Sequence, residues 1–352
     1  MNYMKFFGVF YLLIYHSAIK QLNIFVILFF LQMFIFISGY FYKDKYTQNP
    51  GLFIKKRIRS LYLPFIIYCS LFLFLNNFFV DIKVYKPGML LNNEMMWDQF
   101  LSILKLRPRQ QMAGAMWFVS SLLITSTLFC LLSFILKFIS KKQRTYLLFF
   151  CIAAIFMSGI HLSVLKIQIH PYIDISFVLL IFFYGGYLFK KNEDKIPINI
   201  YLAVTSFLML RICMEFGFPQ IPARRYINPP FLLMTGFAGI YLNIYISKKL
   251  AEFKKIKLLN YIGQNTLAIL ALHFLSFKVI NLLAIYCFNL PFDQLASFPI
   301  IKSTSQYWRW LYVLAGLSIP VVLKSIFNLA YIRVVNIRGQ RIEDVENYNE
   351  FQ

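Results

Sequence analysis

The chain has 352 residues, 59% of them hydrophobic and only 14% charged, a balance that a water-soluble domain of this size does not need, so its solvent is mostly lipid. Lys and Arg number 36 against 14 Asp and Glu, yet no polar domain exists on which they gather, which argues against a nucleic-acid-binding face. The five cysteines, Cys69, Cys130, Cys151, Cys213 and Cys287, all lie in apolar runs with no CxxC spacing, so neither a disulfide framework nor a zinc site is expected.

A hydrocarbon core about 30 Å thick needs roughly 20 apolar residues per helix. Runs of that kind recur, predicting an all-α, polytopic transmembrane bundle of about ten helices. In chain order they cover residues 5–20, 23–42, 61–80, 116–136, 145–165, 172–189, 196–216, 230–247, 261–287 and 309–330. The first run lacks a small-x-small cleavage site and carries His16, so it is read as a retained helix and not as a signal peptide. Residues 81–115 form a long connection with Pro87, Gly88, Pro108 and Gly114, for which a re-entrant or interfacial element and a solvated connector are both open. Residues 1–332 read as one membrane domain and 333–352 as a short cytoplasmic tail, with Arg333, Arg338 and Arg341 followed by acidic residues.

Basic residues resist translocation. They concentrate in residues 43–60 (Lys43, Lys45, Lys55, Lys56, Arg57, Arg59), 137–144 (Lys137, Lys141, Lys142, Arg144), 190–195 (three lysines) and 248–257 (Lys248, Lys249, Lys254, Lys255, Lys257). The alternate connections are longer and poorer in bases, so both termini are expected to face the cytoplasm.

Ionisable groups at membrane depth usually face a cavity and mark function. Lys5 and His16 are eleven positions apart, about three helical turns, so they share one helix face, with Lys5 at the edge and His16 roughly 16 Å deeper. Two readings stand side by side: a charged mouth leading to a buried imidazole, or a snorkelling lysine and a histidine bonded to a neighbouring helix. His273 lies at a similar expected depth in the ninth helix. His161 and His170, near helix ends, are given no role. Arg211 and Glu215, four apart, are expected to pair along one face near the outer surface, with acceptor binding as the sharper option. Lys278 and Lys324 read as snorkelling or cavity-facing. Phosphate-cradling glycines, GxSxG and metal-ligand spacings are missing, so no metal is expected.

Four segments resemble the acyltransferase-3 family of bacterial integral membrane O-acyltransferases, which decorate surface polysaccharides and other glycans. They are KFFGVFYLLIYH (Lys5 to His16, with Lys where the family more often has Arg), FIFISGYFY (Ser38, Gly39, Tyr40), IKKRIRSLYLPF (Lys56 and Arg59 in the family's Arg-x-x-Arg spacing, then Pro64) and YIGQNTLAILALHF ending on His273 and Phe274. WFVSSLL from Trp117 adds weaker support, and Leu270 replaces the aromatic residue commonly found three before the late histidine. The resemblance implies transfer of an acyl group from cytosolic acyl-CoA, most simply acetyl-CoA, to a glycan hydroxyl in the bacterial inner membrane, with no permanently bound cofactor. It implies His16 and His273 as catalytic residues and Lys5, Lys56, Arg57 and Arg59 as the coenzyme A site. Ser38, Tyr40, Trp117, Arg211 and Glu215 are then candidates for substrate contact.

Expected partners are acyl-CoA, a glycan acceptor, membrane lipid and polysaccharide-assembly proteins, because the chain must acylate its acceptor directly or hand the group on. The competing reading is a transporter or flippase of lipid-linked glycan or small solutes, which should show inverted repeats and paired broken helices. Neither is visible in the sequence. A membrane scaffold explains the hydrophobicity but not the Lys5 to His16 geometry.

Overall fold

The computed structural model describes residues 1–253 and 256–337, with no account of the side chains of Lys141, Lys142 and residues from 330 onward. Lys254, Lys255 and residues 338–352 of the expected tail lie outside the described residues; residues 333–337 continue the last helix. Helix makes up 77% of the chain and no strand is formed among the described residues. That follows from the solvent: lipid offers no partners to backbone N–H and C=O groups, so each apolar run must satisfy its own.

The long elements are α1 (Asn2–His16), α2 (Lys20–Ile27), α3 (Phe30–Tyr40), α4 (Pro50–Phe74), α5 (Trp117–Ile135), α6 (Lys141–Val164), α7 (Ile173–Lys191), α8 (Ile200–Cys213), α9 (Pro229–Phe253), α10 (Thr266–Phe288) and α11 (Arg309–Ile337). All ten expected runs are helical. Seven of the helices are long and apolar enough to cross a membrane, and eight if α2 and α3, bent by 41°, count as one span. The expectation of about ten full spans is corrected on this point, because α1 has 15 residues and α8 has 14.

The break between α2 and α3 is closed from within. Leu28 and Phe29 are buried there, and Gln32 Nε2 donates to the Leu28 carbonyl at 3.0 Å. The α4 span carries a π-helical stretch at Ile58–Tyr62, where the hydrogen-bond ladder widens by one residue. Residues 81–115 divide into a largely exposed first part and a buried second part. They form the helix Asn93–Leu104 and then a tucked segment in which Gln110, Met112, Ala113, Ala115 and Met116 are buried. Burial raises the Tyr85 phenol to about 12, and its oxygen accepts from the Met112 N–H at 3.1 Å, pinning this segment.

The basic connections gather at one end of the bundle. Lys5 sits over the Phe41 ring, Lys191 pairs with Asp44 at 3.2 Å, the Ile256 N–H donates to Tyr3, and Tyr184 donates to the Thr145 carbonyl. The other connections interlock at the opposite end through Lys83–Asp293, Arg224 to the Leu162 and Ile167 carbonyls, and the Lys20 N–H to Gln306.

The tightest crossing is α3 on α7. A Cβ on Gly39 would lie 1.9 Å from the Phe183 carbonyl oxygen, and one on Gly186 would lie 2.0 Å from that of Phe36, so only glycine lets the two backbones meet. Gly39→Ala and Gly186→Ala should each cost about 1–3 kcal/mol or more through overpacking. This is read as a lowered unfolding temperature of the detergent-solubilised protein. Gly88→Ala, where a Cβ meets nothing within 4 Å, is the control expected to leave it unchanged; equal behaviour of all three would disprove the close crossing.

Candidate functional site

α1 runs helically from Asn2 to His16, so Lys5 and His16 do share a face, about 16 Å apart along the axis. The helix ends at His16: Ser17 is its cap and Ala18 takes φ 52, turning the chain away. α10 brings His273 to the same place, with the two imidazole centroids 5.1 Å apart. Phe274 packs against both, 4.7 Å from His16 and 4.0 Å from His273.

The two histidines are held differently. His273 is fully buried, and its Nδ1 lies 3.0 Å from the Ile269 carbonyl and 3.1 Å from that of Leu270. Carbonyls only accept, so Nδ1 carries the proton and Nε2 keeps its lone pair. Among the described residues that Nε2 has no hydrogen-bond partner. His16 is part-exposed at its helix terminus.

At the basic end, Arg57 is the side chain that turns inward. Its Nη2 donates to Ser38 Oγ at 2.7 Å and its guanidinium stacks over Phe53 at 4.8 Å. Arg59, expected to act with Lys56, is exposed, because the π-helical stretch that begins at Ile58 alters the register. Lys56 is close enough to act electrostatically on Lys5. Ser38 and Tyr40 therefore lie at this end. Tyr40 donates to Glu193 at 2.8 Å and accepts from Lys190 at 3.1 Å.

Trp117 lies at the other end of α5, stacked on Tyr172 at 6.3 Å. Arg211 and Glu215 pair as expected at 2.7 Å, but both are exposed, and none of their described contacts reaches the histidines. Lys278, expected to snorkel or face a cavity, does neither. It is buried and donates to the Leu295 and Ser297 carbonyls at 2.8 and 2.9 Å, clamping the 289–308 connection onto α10 together with Asn281. The missed signal was the spacing of Lys278 and Asn281, three apart on a helix and so on one face.

The family model described as an acyltransferase domain matches residues 1–327. Neither the curated proteins nor the solved structures include a match to this chain. The apolar spans and the family together make it a multi-pass membrane protein.

Because Lys278 and Asn281 share the Leu295 and Ser297 carbonyls, Lys278→Met and Asn281→Leu should not add. A double-mutant cycle on thermal unfolding is expected to give a coupling of about 1 kcal/mol. Strict additivity would mean that the two side chains do not act as one clamp.

Proposed function

The chain belongs to the acyltransferase-3 family, and on that premise we propose that it is a bacterial inner-membrane O-acyltransferase moving an acetyl group from cytosolic acetyl-CoA to a hydroxyl of a surface polysaccharide or its lipid-linked precursor. The observation that carries this reading is the meeting of His16 and His273 at the inner end of the Lys5 face. The basic end is read as cytoplasmic, since its connections hold the clusters least able to translocate, and the termini are read as lying on that side. Acetyl-CoA is a consumed substrate in this reading, and no cofactor stays bound.

Lys5, Lys56 and Arg57 would hold the coenzyme A phosphates through charge-assisted hydrogen bonds, with Arg59 at the exposed rim. The pantetheine arm then has about 16 Å to cover from Lys5 to His16, along the shared face of α1. At the histidines the acceptor hydroxyl gives its proton to the His16 imidazole as its oxygen attacks the thioester carbonyl. A C–O bond forms, the C–S bond breaks, and the departing thiolate takes a proton back, leaving ester and free coenzyme A. The carbonyl end of α1 lies at His16, and its partial negative charge favours the positive charge that develops on the ring. His273 serves as a fixed acceptor: with Nδ1–H held by two carbonyls, Nε2 can orient the hydroxyl that reacts.

The bent α2–α3 pair is the feature that leans toward a transporter. Leu28, Phe29 and Gln32 are fully buried at its break, where Gln32 donates to the Leu28 carbonyl, and this packing gives the transporter reading no support.

The test is the O-acetyl content of surface polysaccharide, by NMR, from cells making wild-type protein, His16→Ala or His273→Ala protein at matched membrane levels, or none. Loss of the acetyl signal without the protein and a drop of about 10²-fold or more in both variants is expected. An acetyl signal unchanged throughout, with surface glycan abundance falling only where the protein is missing, would replace the enzyme by a transporter.

A further inference from the structure

A second polar cluster lies at the end of the bundle opposite Lys5 and Arg57, and the chemistry described above does not use it. Asp174, in the first turn of α7, is fully buried. Its Oδ2 accepts from Arg224 Nη1 at 3.1 Å, while its Oδ1 has no partner among the described residues. Arg224, its side chain 11% exposed, also donates to the Leu162 and Ile167 carbonyls. Tyr226 is 5% exposed, lies within electrostatic reach of both, and its hydroxyl is likewise unpaired. Arg107, from the tucked 105–116 segment, brings a buried, unpaired Nε beside His170 and Tyr172. Tyr172 and Trp117, both half-buried, stack on each other at its edge.

Part of this cluster is structural. The Arg224–Asp174 pair staples the 217–228 connection to α6 and α7, which accounts for Asp174 Oδ2 and for the guanidinium of Arg224. It leaves Asp174 Oδ1, Tyr226 OH and Arg107 Nε unexplained, and buried polar atoms without partners are costly and rare. The three offer an acceptor, a donor-acceptor and a donor beside two aromatic rings. An anion would meet Asp174 and a cation would meet Arg107 and Arg224, whereas the hydroxyls of a neutral polyhydroxylated ring both donate and accept and its C–H face suits aromatic rings, so its chemistry matches all three atoms and the Trp117–Tyr172 pair. The chain leads from this cluster toward the histidines through Gly114. Trp117 follows Gly114 by three residues, and a Cβ on Gly114 would lie 3.4 Å from Phe274, the ring packed on both histidines.

We propose that Asp174, Tyr226, Arg107, Trp117 and Tyr172 form the docking site of the sugar acceptor, approached from the face opposite the coenzyme A site. This rests on the acyltransferase reading. Donor and acceptor then enter from opposite ends and meet at His16 and His273.

Tyr226→Phe gives the sharpest test, because it removes a hydroxyl that bonds to nothing described and so should leave folding intact or improve it. Asp174→Asn is the companion variant. The protein in lipid nanodiscs is titrated calorimetrically with the delipidated surface polysaccharide of its own cells, and separately assayed with radiolabelled acetyl-CoA and that polysaccharide. Tyr226→Phe is expected to weaken polysaccharide binding at least tenfold and to raise its KM similarly. The KM for acetyl-CoA should stay within twofold and the unfolding temperature should not fall. His16→Ala should bind the polysaccharide like wild type while transferring no label. If Tyr226→Phe and Asp174→Asn bind and acylate the polysaccharide as wild type does, the docking site is overturned and the acyltransferase reading stands. If wild type binds polysaccharide through Tyr226 but transfers no label, the acyltransferase reading falls and the cluster remains a glycan site.

Discussion

The backbone contact of α3 with α7 sets the spacing of everything around it. With Gly39 against the Phe183 carbonyl and Gly186 against that of Phe36, the two helices approach as closely as their backbones permit. In lipid, where apolar side chains gain little by leaving their solvent, such contact is a main source of association. It fixes Ser38 one residue from the crossing and Tyr40 one residue beyond it, and so fixes where Arg57 finds its oxygen acceptor and where Lys190 and Glu193 meet the phenol. The glycine in the Ser-Gly-aromatic segment is thus a packing requirement, and the residues on either side inherit their positions from it.

From that crossing the bundle sorts its polar groups by end. Along α5, Trp117 at the start and Cys130 near the finish are thirteen residues apart, about 20 Å. Cys130 Sγ lies 3.6 Å from the Tyr46 carbonyl beside the basic loops, whereas Trp117 touches Tyr172 at the far end. α7 repeats the division, with Asp174 in its first turn and Lys190 and Lys191 in its last. The two ends therefore differ: one gathers the lysine-rich connections, whereas the other holds the buried Asp174–Arg224 pair near the Trp117 and Tyr172 rings.

Apolar length and the eleven-residue register of Lys5 and His16 were legible because they depend on a single helix. The meeting of His16 with His273 was legible only as similar expected depth, since no spacing within the sequence states that α1 and α10 touch. Arg57 and Arg59 were both expected at the basic mouth, and the outward turn of Arg59 was hidden by the π-helical stretch at Ile58–Tyr62, which a 3.6-residue period does not describe. The Asp174–Arg224 pair joins residues fifty apart and left no local pattern to read. The short lengths of α1 and α8 were masked by apolar residues that continue past each helix end, Ile19 after α1 and Met214 and Phe216 after α8, where hydropathy cannot tell a turn from a helix.

The shortness of α1 has its own physical logic. Fifteen residues rise about 22 Å, less than the hydrocarbon thickness, so its carboxyl-terminal turn falls inside the bundle. Irregular backbone at that depth persists only where protein groups satisfy it. Here Asn23 Nδ2 donates to the Tyr15 carbonyl at 2.8 Å, Arg309 Nη1 donates to that of Ala18, and Gln306 accepts from the Lys20 N–H at 3.3 Å. Two of those three partners belong to the 289–308 connection and the start of α11, the connection that Lys278 and Asn281 also clamp to α10. His16 and His273 are consequently positioned by one shared set of contacts. Ending the helix there leaves the imidazole at the helix terminus, with its centroid 5.1 Å from that of His273.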